Sequence, residues 1–355
     1  MNINIDVSRM NNFFLINQTE HESNSINKKN RHKIVNYTNY MINEIKICEK
    51  IKKIMYYSNY FSILQDYEPL NISLLNEDIL EKLDKPNEIQ YYLFEYNDKN
   101  NLDFIDFLYN SQNIKKLIFD IINSFKHILK GLSLLNENNL CFFDLRPQKI
   151  LYLENYREKP VLSDFKLSLN INKLNYEYIS NLLNKIEDFT YLPFEIHVLF
   201  YFIKNNIVTI SYSFIEEFCE NYMENLNILR LFSKEYKITY KNECIKILQK
   251  YINKPKDQII NDILERNDKW DIYGISILYL QIFGCIFRVF SLKGTFMSKI
   301  IIELSKNINP NSEKRMNIET TLEIFNNIID EQNDWKFINN LDNKKLSILF
   351  DELSK

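Results

Sequence analysis

What this chain lacks is the first guide to it. Its 355 residues include no alanine and only four glycines, none before Gly131. That excludes a glycine-rich phosphate loop from the N-terminal third, because close backbone approach to a ligand and left-handed turns favour glycine. Without alanine, helix propensity has to come from Leu, Ile, Lys and Glu. The abundant Asn, Ile, Lys, Tyr and Phe all have AT-rich codons. We read the bias as mutational, so the asparagine runs weigh little as a sign of disorder.

Cysteine is sparse and odd in number: Cys48, Cys141, Cys219, Cys244 and Cys285, with no pair at metal-type spacing. Reduced, mostly buried thiols in an intracellular compartment are expected. Charge of one sign is also missing. Lys and Arg number 44 against 47 Asp and Glu, a net of −3, which argues against nucleic acid as a partner and gives no acidic tail. No basic segment followed by an apolar run opens the chain, so no signal peptide is evident. The longest apolar run, residues 272–287, is shorter than the ~18 residues of a membrane span and contains Gln281, so a buried core helix and no membrane association are expected.

What is present is a 45% hydrophobic chain, enough for a large core. "NINIDV", "FFLINQ" and "HKIVNY" read as short strands, with "SRMN" a turn between the first two. Residues 40–55 place Ile42, Ile45, Cys48 or Ile51, and Ile54 at helical spacing, with Glu44 near the start. "YFSIL" and "IQYYLFEY" are strand-like. Residues 112–136 form a long amphipathic helix. "KILYL" and "PVLSDF" are strands joined by "ENYREK". From residue 181 onward the pattern is helical, with Ser213-x-x-Glu216 a candidate capping box. The order predicts an α+β chain in two lobes.

The stretch that carries chemistry is "CFFDLRPQKILYLENYREKPVLSDFKLS", residues 141–168, with Asp144 and Asp164. Phosphoryl transfer needs a base, a cation-holding carboxylate and a lysine–glutamate pair on the nucleotide phosphates. The signature H-R-D-L-x-x-x-N compares with Phe142 to Lys149, and D-F-G with Asp164, Phe165 and Lys166. "YYLFEYND" resembles a kinase hinge, "NEIKICEKI" the helix carrying the paired glutamate, "YLPFE" the A-P-E segment, "DKWDIYGISILYLQIF" the buried core helix, and "NINPNSEKRMNIETTLEIF" the closing D-P-x-x-R-P segment. Taken in order, these resemble the protein kinase superfamily, serine/threonine type. The 76 positions from Glu195 to Asp271 are filled with helix. That insert makes the chain look like a divergent group, the kinase-like proteins of large DNA viruses.

The resemblance implies a bilobal protein kinase-like fold. The N-lobe would span 1–97 and the C-lobe 98–335, with an insert at about 200–265 and a tail at 336–355. It implies ATP and Mg²⁺ as cofactors and a protein substrate or binding partner, in an infected cell or virion if the origin is viral. Asp144 would be the base, Arg146 a γ-phosphate contact and Asp164 the metal ligand. Glu44 would pair with a third-strand lysine, for which Lys33 and Lys28 are both candidates. Phe94 would be the gatekeeper, and the backbone of Glu95 and Asn97 would meet adenine. Phe165, Glu195, Asp271 and Arg315 would be structural, Glu195 pairing with Arg315 and Asp271 tying down the catalytic loop.

The departures matter as much. Lys149 replaces the asparagine that ligates a second metal, and an ammonium has no lone pair to donate. It can instead stand there as a fixed positive charge. Lys166 replaces a glycine and restricts positive φ. "SRMN" replaces the glycine loop. Phe143 replaces the arginine that receives an activating phosphate. An active kinase, a pseudokinase scaffold and, less favoured because of Glu195 and Arg315, a small-molecule phosphotransferase all stay open.

Overall fold

β1 (Ile5–Met10), β2 (Phe13–Gln18), β3 (Arg31–Asn36), β4 (Leu64–Pro69) and β5 (Tyr91–Tyr96) pair into one antiparallel sheet in the order β1-β2-β3-β5-β4. They belong to a computed structural model describing residues 5–10, 13–18, 31–75, 77–81, 83–85, 88–96, 101–153, 159–184, 186, 188–205, 209–330 and 336–354. The fold is α+β, and the chain divides into two units: Met1–Phe104 with Lys149–Ser168, and Ile105–Gln148 with Leu169–Lys355.

In the first unit β1 runs on through Met10, so Ser8, Arg9 and Met10 of the expected turn are strand. Asn11 of that turn lies outside the described residues. "YFSIL" is not a strand. Phe61 only bridges to Leu162, and β4 begins at Leu64. β5 lies between β3 and β4, which pair with it along both edges. A second, three-stranded sheet joins β6 (Asn101–Asp103) to the strands Ile150–Leu153 and Pro160–Leu162.

The helix α1 (Asn39–Ile51) starts where Thr38 Oγ1 accepts from Met41 N at 3.3 Å, a cap worth about 1 kcal/mol. It ends four residues before the expected Met55, and Ile54 is buried from the turn that follows. Its inward face differs from the expected stripe. Met41, Ile47, Cys48 and Ile51 are buried, but so are Asn43 and Glu44, while Ile42 and Ile45 are only half-buried. Polar groups taken from water need hydrogen-bond or charge partners; those of Asn43 and Glu44 lie in the candidate site.

The second unit is helical. The helix Ile114–Glu137 buries every apolar residue of its expected face and is capped by Asn113. The helix Trp270–Val289 is long and apolar enough to cross a membrane by length and composition. Sixteen of its 20 residues are buried within the unit. The helical insert comprises Tyr212–Asn225, Lys234–Gln249 and Lys256–Leu264. The first of these is capped by Ser211, which accepts from Phe214 N at 3.2 Å, and not by Ser213, which lies already inside the first turn. The tail helix Leu346–Leu353 packs on the core helix, where Cys285 donates to Glu352 O and Arg288 lies 3.3 Å from the Glu352 carboxylate. All five cysteines are buried and unbridged.

Candidate functional site

In the first unit the site is assembled around Asp164, directly after the strand Pro160–Leu162 and Ser163. Lys33 is on β3, opposite Phe94 of β5, and is 8% exposed. Glu44 is 3% exposed on α1, and its Oε1 accepts from Tyr96 Oη at 2.9 Å. Asn43, beside it, donates to the carbonyls of Lys166 (2.9 Å) and Ser168 (2.8 Å). Asn43 thus fixes the segment that follows Asp164. The backbone of Lys149 is placed by Ser163, whose N–H and hydroxyl both donate to the Lys149 carbonyl (2.8 and 3.2 Å). Phe165 is buried edge-to-face on Phe61 at 5.9 Å.

The charges act on one another. Burial pushes the Glu44 carboxyl up; the nearby Lys33 charge opposes this, Asp164 adds to it, and the net direction is upward. Burial alone would raise Asp164 as well, but Lys149, Lys33 and Lys166 together outweigh it and hold this carboxyl well below the usual carboxylate range. Lys166 Nζ is 3.0 Å from Asp164 Oδ2. Oδ1 is buried with no hydrogen-bond partner among the described residues. Asp164 also holds φ +59°, in the left-handed region, and Lys166 is not among the residues with positive φ. The expected conformational penalty of Lys166 in place of glycine therefore does not arise; the unusual turn falls one step earlier, on Asp164 itself.

Phe94 is fully buried, its ring 6.2 Å from Tyr67 and 6.4 Å from Tyr96. Glu95 is inside the sheet, opposite His32 on one side and Asp66 on the other, so its peptide groups face neighbouring strands and are not open to a base. Asn97 and Lys28 lie outside the described residues.

An implied Mg²⁺ can be tested against these residues. Asp164 Oδ1 offers one oxygen, and Mg²⁺ bound with nucleotide uses one or two carboxylates. Among the described residues there is no group of three His, Cys, Asp or Glu able to hold a metal. The donor set suits at most one cation accompanying a nucleotide; it does not suit two.

In the second unit Asp271 anchors the segment around Asp144. Its carboxylate accepts from Phe142 N (2.8 Å) and Phe143 N (2.7 Å), and burial raises its pKa. Phe143 is buried 5.5 Å from Trp270 and holds φ +71°. Asp144, 2% exposed, accepts from Arg146 Nε at 2.6 Å. Arg146 also donates to Asp188 O at 2.8 Å, and its Nη1 lies 3.7 Å from the Asp188 carboxylate. Its guanidinium is thus committed to Asp144 and Asp188, and a γ-phosphate contact would require it to release one of them. Gly274 of the core helix allows close packing here: a Cβ would lie 3.2 Å from Tyr191 O and 3.4 Å from Leu145 Cβ.

Glu195 and Arg315 meet in a bidentate pair, both bonds 2.7 Å, with Arg315 over the Tyr273 ring at 5.0 Å. Asn43, Tyr96 and Asp188 were not foreseen. The only sequence signal for the first was a polar residue beside Glu44. No known protein-family model matches the chain, and no curated protein matches it in sequence.

Proposed function

We propose that the chain is a divergent protein kinase that transfers the γ-phosphate of ATP to Ser or Thr of a protein substrate, on a protein kinase-like fold. The observation that carries this reading is the joint placement of Lys33, Glu44 and Asp164. Kinase-type transfer uses a third-strand lysine paired with a helix glutamate, and an aspartate for the cation. Here Lys33 is on β3, Glu44 is on the helix that follows, and the Lys33 charge acts on both carboxylates. Asp144 is the general base in this reading, with its carboxylate oriented by Arg146. A Mg²⁺ arriving with the nucleotide would be held through Asp164 and would neutralise phosphate charge.

A second reading, a pseudokinase that recruits a protein partner, is favoured by Lys166 on Asp164 and Arg146 on Asp144, since each ion pair occupies a group the chemistry needs. Thermal unfolding with ATP, followed by phosphate transfer to a Ser/Thr peptide library, separates the two. Ligand at ~100 times its Kd adds about 2.7 kcal/mol of stability. Stabilisation by ATP, with transfer that disappears in Asp144→Asn, supports the enzyme. Stabilisation without transfer supports the scaffold. No stabilisation at millimolar ATP in any ionic condition removes the enzyme and leaves only the scaffold.

A further inference from the structure

We infer that the helical insert of the second unit carries a docking cleft for an acidic peptide segment of a partner protein, one that offers a large apolar side chain between carboxylates. The inference goes beyond phosphate transfer and holds whether or not the chain is an enzyme.

The cleft has a volume of about 230 Å³ and is lined by Met223, Glu224, Leu226, Leu229, Arg230 and Lys237. It forms where the helix Tyr212–Asn225 stops. Leu226 leaves helical geometry (φ −84°, ψ 83°), and the turn Asn227–Leu231 follows. Leu226 and Leu229 are buried and make the floor, with Met223 half-buried beside them. A methionine thioether adapts to irregular apolar partners. Arg230 and Glu224 are exposed and Lys237 is half-buried, so the rim is charged. An apolar floor inside a polar rim is the anatomy of a protein interface. Its backing is held by the fold. Leu231 Cδ1 lies 2.5 Å from where a Cβ would stand on Gly284 of the core helix, Phe232 stacks on Tyr236 at 4.2 Å, and Tyr236 Oη donates to Ser305 O at 3.2 Å. A cleft set in advance lowers the ordering cost of binding.

Size and charge choose the occupant. Small-molecule and cofactor pockets run from about 300 to 1,000 Å³; this smaller cleft suits one apolar side chain. Other lysines of the insert are matched, Lys241 with Glu220 at 2.9 Å and Lys246 with Glu243 at 3.4 Å. The Arg230 and Lys237 side chains pair with no carboxylate among the described residues, and Glu224 on the same rim pairs with neither. The rim therefore carries one positive charge in excess. A guanidinium fork matches a carboxylate bidentately, and an ammonium offers three donors. Two uncommitted cations over an apolar floor are complementary to carboxylates that flank an apolar residue, and such complementarity selects the partner.

Fluorescence anisotropy of labelled peptides with the full chain tests this. The probes are short synthetic peptides, each holding one Leu, Ile, Met or Phe among several Asp or Glu in every order. Binding is expected for a subset, and alanine in place of the apolar residue should weaken it about 10- to 100-fold. Arg230→Glu and Lys237→Glu should each weaken it about 10-fold; Arg230→Glu, at the exposed position, serves if Lys237→Glu does not fold. The double variant should instead prefer the counterpart peptide with lysine for each acid. No binding by any peptide at ~1 mM overturns the inference, and so does affinity unchanged in the variants. Polyaspartate binding as tightly as the best peptide shows charge attraction alone and overturns it too. Self-association of the chain that is lost in Arg230→Glu assigns the cleft to a second copy. Tighter binding to phosphatidylserine vesicles than to any peptide assigns it to a lipid surface. Either result overturns the peptide as occupant.

Discussion

Breaking the Glu195–Arg315 pair should be among the most damaging single changes in the second unit. Arg315 is 3% exposed and Glu195 7%. The two bonds of 2.7 Å join a full positive to a full negative charge away from water. Removing one partner of such a pair costs about 3–5 kcal/mol, because the other charge stays buried without compensation. The two ends should not be equal. In Glu195→Gln the guanidinium keeps Nε on Asn309 O (2.7 Å), Nη2 on Pro310 O (3.2 Å) and the face of Tyr273, so the loss should lie near ~3 kcal/mol. In Arg315→Met a carboxylate is stranded and both backbone carbonyls lose a donor, which moves the loss towards ~5 kcal/mol.

Those figures are a large share of a typical stability of about 5–15 kcal/mol. The double variant Glu195→Gln/Arg315→Met buries no net charge, so it should cost less than the sum of the singles by about 3 kcal/mol. Urea unfolding followed by far-UV circular dichroism measures all four corners of the cycle. If the singles each cost under about 1 kcal/mol and add, the pair behaves as a surface ion pair, and the reasoning fails.

Other outcomes follow from charge and burial. His197 is held down to about 4 by burial, with its Nε2 3.2 Å from the carbonyls of Phe189 and Leu192. The unfolded chain takes up that proton first, so on the order of 3 kcal/mol should be lost between about pH 6.5 and 4; urea titrations across this range should show a slope that disappears in His197→Phe. Asp164 runs in the same direction at lower pH. Its depressed carboxyl contributes stability above the unfolded value of ~3.9 that is lost as pH falls further, so Asp164→Asn should flatten the acid limb of the stability curve. Glu44, raised by burial, has the opposite sign: its contribution is present below ~4.3 and is lost as pH rises, and Glu44→Gln should show a smaller decline above that pH. Phe143, which the kinase reading sets where an arginine would receive an activating phosphate, is buried against Trp270. Phosphatase treatment should therefore leave phosphate transfer unchanged; a drop would show that a phosphate between Asp164 and Glu195 is required.

Apolar periodicity made the long elements legible. The helix Ile114–Glu137 buries the stripe its spacing marks, and residues 272–287 fall inside one core helix. The same rule misplaced the inner face of α1, because it counts only apolar residues. Asn43 and Glu44 turn inward, with partners more than 50 positions away in sequence, and no local pattern records those. The choice between Lys33 and Lys28 was open on spacing. β3 reaches from Arg31 to Asn36 and puts Lys33 in the sheet, while Lys28 lies outside the described residues. Glu95 shows a related limit. Strand propensity identified β5, but a strand's propensity does not say whether its edges are covered, and here they are covered by β3 and β4.

The scarcity of glycine explains how these long-range polar contacts came to matter. The chain still needs left-handed backbone at Phe143 and Asp164, where a side chain costs about 1–2 kcal/mol over glycine. Such conformations persist only where the surroundings over-determine them. At Phe143 the surroundings are Asp271, accepting from both neighbouring peptides, and the packing on Trp270. At Asp164 they are Lys166 on the carboxylate, Asn43 gripping the next carbonyls and Phe165 wedged against Phe61. Asn43 and Asp271 therefore do in side-chain hydrogen bonds what a glycine would do by having no side chain. Asn43→Leu tests the equivalence. It leaves the Lys166 and Ser168 carbonyls without that donor, at about 1–3 kcal/mol each, and a second change, Asp164→Gly, should relieve part of the strain. If Asn43→Leu costs as much in the Asp164→Gly background as in the wild type, the anchor and the left-handed turn are independent.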